Sequence, residues 1–108
     1  MQESHLAVNL DSIKIVSVIG SGQMGRGIGA VAALAGYEVY LNDVDEEQLK
    51  EAHEEIKWSY DKTVENGGVT EVEVKAALDR ITFTTDQEEA VGDADFVTEA
   101  AVERQNVK

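Results

Sequence analysis

Hydrophobic and polar positions alternate between two periods along this chain. Residues 14–19 hold Ile15, Val16, Val18 and Ile19, a short β-branched run stopped by Gly20, which predicts a buried parallel strand. A glycine-rich turn follows, and then residues 24–35 predict a helix carrying Ile28, Val31, Ala32 and Leu34 among the small residues Gly29, Ala30 and Ala33. Gly36 sits where a helix needs its C′ residue. Residues 37–42 form a second strand-like run ending at Asp43. From residue 45 to about residue 66 the period becomes helical, with Leu49, Ala52, Ile56, Tyr60 and Thr63 three or four apart. Gly67 and Gly68 interrupt it, and the pair Thr70 and Glu73 has the spacing of a capping box, so a second helix begins there with Val74, Ala77 and Leu78 apolar. A third strand at residues 81–84, a short helix at 86–91 and a fourth strand at 95–99 complete the pattern. The order β-α-β-αα-β-α-β predicts an α/β fold, a partial Rossmann arrangement with parallel strands in the order 3-2-1-4 and a helical hairpin between strands 2 and 3. That order leaves the fourth strand at an edge, although Phe96 and Val97 expect neighbours.

Residues 1–12 read as a flexible N-terminal tail, and residues 13–108 as the N-terminal portion of one Rossmann-type domain. With 43% hydrophobic residues the chain can bury a real core. No run approaches the ~18 apolar residues of a membrane span. The first ten residues lack the basic start and apolar stretch of a signal peptide. Without cysteine there is no thiolate nucleophile, thiolate metal site or disulfide, which fits a cytoplasmic protein. Charge changes the picture more. Asp and Glu number 22 against nine Lys and Arg, a formal −13, and 18 of the acids lie between Asp43 and Glu99. Such a surface repels nucleic-acid phosphates. It also suits a salty cytoplasm, where self-repulsion between carboxylates is screened.

The chemistry is concentrated in Gly20, Ser21, Gly22, Gln23, Met24 and Gly25, a G-x-G-x-x-G sequence between a strand and a small-residue helix. Gly20 allows the tight exit from the strand, Gly22 lets backbone approach a pyrophosphate, and Gly25 lets the helix lie close to the sheet. The helix start offers N–H groups and a positive dipole end to phosphates. Asp43 stands 18 residues beyond Gly25 at the tip of the second strand, where a carboxylate accepts hydrogen bonds from the adenosine ribose. No cation follows it in Val44, Asp45 and Glu46, so NAD is expected rather than NADP. Read blandly, the same residues are an ordinary strand–helix turn and a helix-capping acid. Arg26 could serve as a phosphate ligand, but an arginine there is ordinarily a solvent-facing helix residue.

Three stretches together resemble the opening of the 3-hydroxyacyl-CoA dehydrogenases: residues 18–28 with the glycine turn, residues 34–43 with the second strand and Asp43, and residues 95–103. The turn with Met24 is shared with 3-hydroxyisobutyrate and 6-phosphogluconate dehydrogenases. The 36 residues between Asp43 and Arg80, filled by a long charged helical hairpin, resemble the hydroxyacyl-CoA enzymes. The resemblance implies NAD as cofactor and an acyl-CoA as partner. It matches Glu103 to a glutamate near the nicotinamide end of NAD, Lys108 to a lysine reaching cofactor and CoA thioester, and Ser59 to a serine contacting CoA. The lysine the family places seven residues after that serine is Asn66 here.

The family's catalytic histidine, its orienting glutamate and their Ser and Asn neighbours come from later strands and a helical domain. This chain has only His5 in the tail and His53 within an acidic helix, and neither forms a recognisable His–carboxylate pair. The expectation is a chain that holds NAD but lacks the catalytic half, its remainder supplied by a longer polypeptide or a second one. The alternatives are a non-catalytic NAD-binding or interaction module, and the N-terminal region of another NAD-dependent 3-hydroxyacid dehydrogenase.

Overall fold

A computed structural model describes residues 13–100. The expected tail therefore lies outside the described residues, as do His5, Glu103 and Lys108. Along the chain run β1 (Ile15–Ile19), α1 (Gln23–Leu34), β2 (Glu38–Asn42), α2 (Glu46–Glu65), α3 (Glu71–Asp79), β3 (Ile81–Thr84), α4 (Gln87–Gly92) and β4 (Phe96–Glu99). The four strands form one parallel sheet in the order β3-β2-β1-β4, as expected.

Burial explains the strand compositions. Val16 and Val18 of β1 and Val39 and Leu41 of β2 are buried in the sheet centre. A parallel strand is covered on both faces, which is why these runs are nearly continuous in apolar residues. On α2, the stripe Leu49, Ala52, Ile56 and Tyr60 is buried as its spacing predicts. Tyr60 Oη donates to the Ala30 carbonyl at 2.7 Å, joining α2 to α1. Burial pushes its phenol up to about 12, so it stays a neutral donor at any ordinary pH. Thr70 and Glu73 form the full capping box at the start of α3.

The buried face of α1 is formed by small residues, in keeping with the close helix–sheet approach expected from Gly25. Val31 is exposed, whereas Gly25, Gly29 and Ala33 turn inward beside the sheet. The reason is distance: a Cβ on Gly29 would lie only 3.6 Å from Val39 and 3.9 Å from Leu41. A helix this close to a sheet buries small residues, and the larger ones flank the contact.

At β4 the strand edge is as expected. Phe96 and Val97 are 51% and 44% exposed, while β4 pairs with β1 on its other side. Asp95 secures the entry to this strand, its Oδ2 accepting from the backbone N–H groups of Lys14 at 2.8 Å and Ile15 at 2.9 Å. Those bonds hold its carboxyl below the usual carboxylate range. A lowered pKa stabilises the fold above the unfolded value, so this grip is lost as pH falls through the lowered one.

Carboxylates crowd the first turns of α2, α3 and α4, where the helix dipole favours them, but the net −13 repels itself. Molar potassium chloride should therefore raise the melting temperature over dilute buffer by roughly 5 °C, equivalent to about 1 kcal/mol in a domain of this size. Melts across a salt series measure this, and a flat response would remove self-repulsion as a factor in stability.

Candidate functional site

The sheet order sets the site's location. The chain leaves β1 toward β2 and β3 on one side, then crosses back to place β4 on the other. The C-terminal end of β1 is thus the point where successive connections diverge, and open α/β sheets bind ligands in that crevice. The glycine turn lies there, flanked by the tips of β2 and β4.

Backbone geometry assigns the three glycines different tasks. Gly20 has φ +106°, a left-handed conformation side chains resist, and its N–H donates to the Asn42 carbonyl at 2.7 Å. A Cβ on Gly25 would fall 1.8 Å from the Gly20 carbonyl oxygen, so α1 rests directly on the turn. At Gly22 nothing lies within 4 Å of where a Cβ would point. Gly22 directly precedes α1, where it provides no side-chain cap and the first turn carries no acid. Uncapped N–H groups beside a cradle that a side chain would fill are what a pyrophosphate needs. Gln23 and Met24 form the first helical turn and are exposed.

Asp43 is brought against this turn. Its Oδ2 accepts from both the backbone N–H and the hydroxyl of Ser21, each at 2.9 Å, and its Oδ1 accepts from Asp45 N–H at 2.9 Å. Ser21 is fully buried. Asp45 caps α2 through Glu47 N–H, and Glu46 and Glu47 fill its first turn. Negative charge therefore surrounds the tip of β2.

Arg26 is not solvent-facing, which corrects the expectation from sequence. It is 8% exposed, with Nε donating to the Ser21 carbonyl at 3.0 Å and Nη2 to Gln48 Oε1 at 3.2 Å, and Nη1 lying 3.0 Å from Glu55 Oε1. A cation in a first helical turn opposes the dipole, and that local misfit was the one sequence signal for compensating partners.

Between α1 and α2 runs a groove of about 580 Å³, walled by Met24, Gly27, Ala30, Ile56, Trp58 and Ser59. Trp58 is 63% exposed, with the Lys62 ammonium 5.6 Å from its ring centre. Ser59 is thus placed at a groove leading from the glycine turn, whereas Asn66 caps the far end of α2. The groove was missed from sequence, because Trp58 and Met24 meet only through the crossing of two helices. His53 packs edge-on against Phe83 at 4.9 Å between ring centres, on the side of α2 toward β3 and apart from the groove. Among the described residues no group of acids and histidines is arranged to hold a metal ion, and no helix is long and apolar enough to cross a membrane.

Known proteins share this arrangement. The 3-hydroxybutyryl-CoA dehydrogenase of Bradyrhizobium diazoefficiens is 45% identical over 96 residues, 89% of this chain and 32% of the relative. The crystal structure of 3-hydroxybutyryl-CoA dehydrogenase from Escherichia coli matches 88% of this chain and 20% of its own at 40% identity, with a TM-score of 0.80. The (S)-3-hydroxybutyryl-CoA dehydrogenase of Ralstonia eutropha matches 84% and 32%, at 30% identity and a TM-score of 0.80. The chain spans about a third of the length of such curated relatives. The stretch from β1 through the glycine turn, Asp43, the helical hairpin and β4 falls within residues 15–108, which match one family model, described as the NAD-binding domain of 3-hydroxyacyl-CoA dehydrogenase: this chain belongs to that family.

Proposed function

We propose that the chain supplies the NAD-binding part of an enzyme oxidising a 3-hydroxyacyl-CoA to its 3-oxoacyl-CoA, a step of fatty acid metabolism. The bond pattern of Asp43 with Ser21 carries this reading, since it holds a carboxylate against the glycine turn at the tip of β2. In it, the backbone of Gly20, Ser21, Gly22, Gln23, Met24 and Gly25 receives the pyrophosphate, and Asp43 accepts from the ribose hydroxyls. Asp45, Glu46 and Glu47 around Asp43 disfavour the extra phosphate of NADP. Ser59 contacts CoA along the α1–α2 groove. Glu103 and Lys108 serve the nicotinamide end and the thioester, as their family positions imply.

NAD, when bound, supplies the hydride acceptor. The acid/base that takes the hydroxyl proton belongs to the part of the enzyme beyond these residues, whether in a longer chain or a second polypeptide. His53 packs edge-on against Phe83, apart from the α1–α2 groove, and is not assigned that role. Relatives 40–45% identical are named for 3-hydroxybutyryl-CoA and, at 40%, for 3-hydroxyadipyl-CoA, which supports a 3-hydroxyacyl-CoA as substrate class. The acidic surface suits a cytoplasm rich in salt.

Asp43 provides the test. Asp43→Ala should weaken NAD binding about tenfold, the loss of charge-assisted hydrogen bonds, while leaving NADP affinity level or improved. Calorimetric titration with both nucleotides measures it. Equal affinity for NAD and NADP in the unmodified chain would sink the cofactor assignment.

A further inference from the structure

We infer that Arg26 is a positioning residue that locks the glycine turn onto α2 and so sets how Ser21 and Asp43 meet the nucleotide; the inference rests on the NAD reading above. A guanidinium at the start of α1 is costly twice over, since the helix dipole opposes it and burial strips its water. Its retention at 8% exposure is explained by the three partners it satisfies. Gln48 and Glu55 stand two turns apart on one face of α2, and the planar fork spans both while Nε reaches back to the Ser21 carbonyl. Ser21 in turn donates twice to Asp43 Oδ2. One line of bonds therefore runs from α2 through Arg26 and Ser21 to Asp43. Ser21 is gripped at its carbonyl from one side and at its N–H and hydroxyl from the other, which leaves this turn residue no freedom to rotate. With Glu55 balancing its charge, Arg26 does not act as a phosphate ligand. It acts on the nucleotide through the turn.

The same ion pair forms part of the wall of the α1–α2 groove. Nucleotide affinity should therefore depend on Gln48 and Glu55, residues on a helix that contributes nothing to the phosphate cradle itself. Glu55→Gln should weaken NAD several-fold and lower the NAD-to-NADP preference, because the displaced group is the one discriminating between them. Arg26→Ala should weaken NAD about tenfold, and Arg26→Lys should recover part of it, keeping the charge but not the fork. The double change Arg26→Ala with Glu55→Gln should be no weaker than Arg26→Ala alone, the mark of two residues acting through one contact. Calorimetry on the full 108-residue chain, far below its melting temperature, separates this from a mere loss of stability, which would weaken neither nucleotide selectively.

Hydrogen exchange without nucleotide gives an independent reading suited to variants that melt early. Glu55→Gln should speed exchange at the Ser21 amide while β3 remains protected. Unchanged NAD affinity in Glu55→Gln, or additive effects in the double variant, would overturn the inference even with the NAD reading intact. If the unmodified chain bound no NAD, the cofactor reading would fall instead, and unaltered exchange at Ser21 in Glu55→Gln would overturn the lock itself.

Discussion

Gly25→Ala should lower the melting temperature by about 10 °C, although by helix propensity alone it ought to raise it. Alanine is favoured over glycine inside a helix by about 1 kcal/mol. Against that stands a Cβ placed 1.8 Å from the Gly20 carbonyl oxygen and 2.9 Å from its carbon. Both atoms are backbone and cannot swing aside as the end of a side chain could. Gly20 is itself fixed, in a left-handed conformation with its N–H on the Asn42 carbonyl. Relief requires α1 to move off the turn, which also opens the contacts of Gly29 and Ala33 with the sheet. Overpacking of this kind costs about 3 kcal/mol, a large share of the 5–15 kcal/mol expected of a domain. Gly27→Ala is the control two residues along the same helix: a Cβ there meets nothing within 4 Å, so it should stabilise by roughly 0.5–1 kcal/mol. Thermal melts of the pair decide the matter, and a Gly25→Ala protein melting at or above the parent temperature would show that the turn yields.

That contrast also marks where sequence reasoning succeeds and where it stops. Strand runs, glycine breaks and the capping box at Thr70 are local patterns, and the elements they predict lie within two residues of those observed. The order 3-2-1-4 followed from one added rule, the strand order that the doubly wound dinucleotide-binding fold gives its first four strands. Asp43 was legible as a candidate site residue because strand, turn and acid stand in fixed register. Its bonds to Ser21 were not, since nothing in the spelling of a serine says whether its hydroxyl faces water or a carboxylate. Arg26 failed for the same reason on a larger scale: its partners Gln48 and Glu55 are 22 and 29 residues away in sequence, and only the packing of α2 on α1 brings them to it. Which residues of α1 face the sheet was not read from sequence, because how closely helix and sheet approach along its length is a tertiary fact. Burial of Trp58 or its exposure on a groove depends on the same crossing.

Gly22→Val should abolish measurable NAD binding while leaving the fold in place, the reverse of the outcome at Gly25. Gly22 has φ −68° and ψ −166°, extended backbone open to any residue. With no atom within 4 Å of its Cβ position, a Cβ there meets nothing in the protein. The cost to stability is the poorer N-cap that valine makes, about 1 kcal/mol or a few degrees. The cost to binding is of another order. Two methyl groups and a Cβ would occupy the space in which the pyrophosphate must approach the first N–H groups of α1, and no rotamer removes the Cβ itself. A loss of more than about 100-fold in affinity is expected, equivalent to at least about 2.7 kcal/mol. Melting curves give a second reading, since ligand at about 100 times its dissociation constant stabilises a protein by about 2.7 kcal/mol. NAD should therefore raise the melting temperature of the unmodified chain by several degrees and leave that of Gly22→Val unchanged. Gly22→Ala should fall between them, its single methyl obstructing the approach without filling it. If the Gly22→Val protein bound NAD as tightly as its parent, the pyrophosphate would have to lie elsewhere than over this turn.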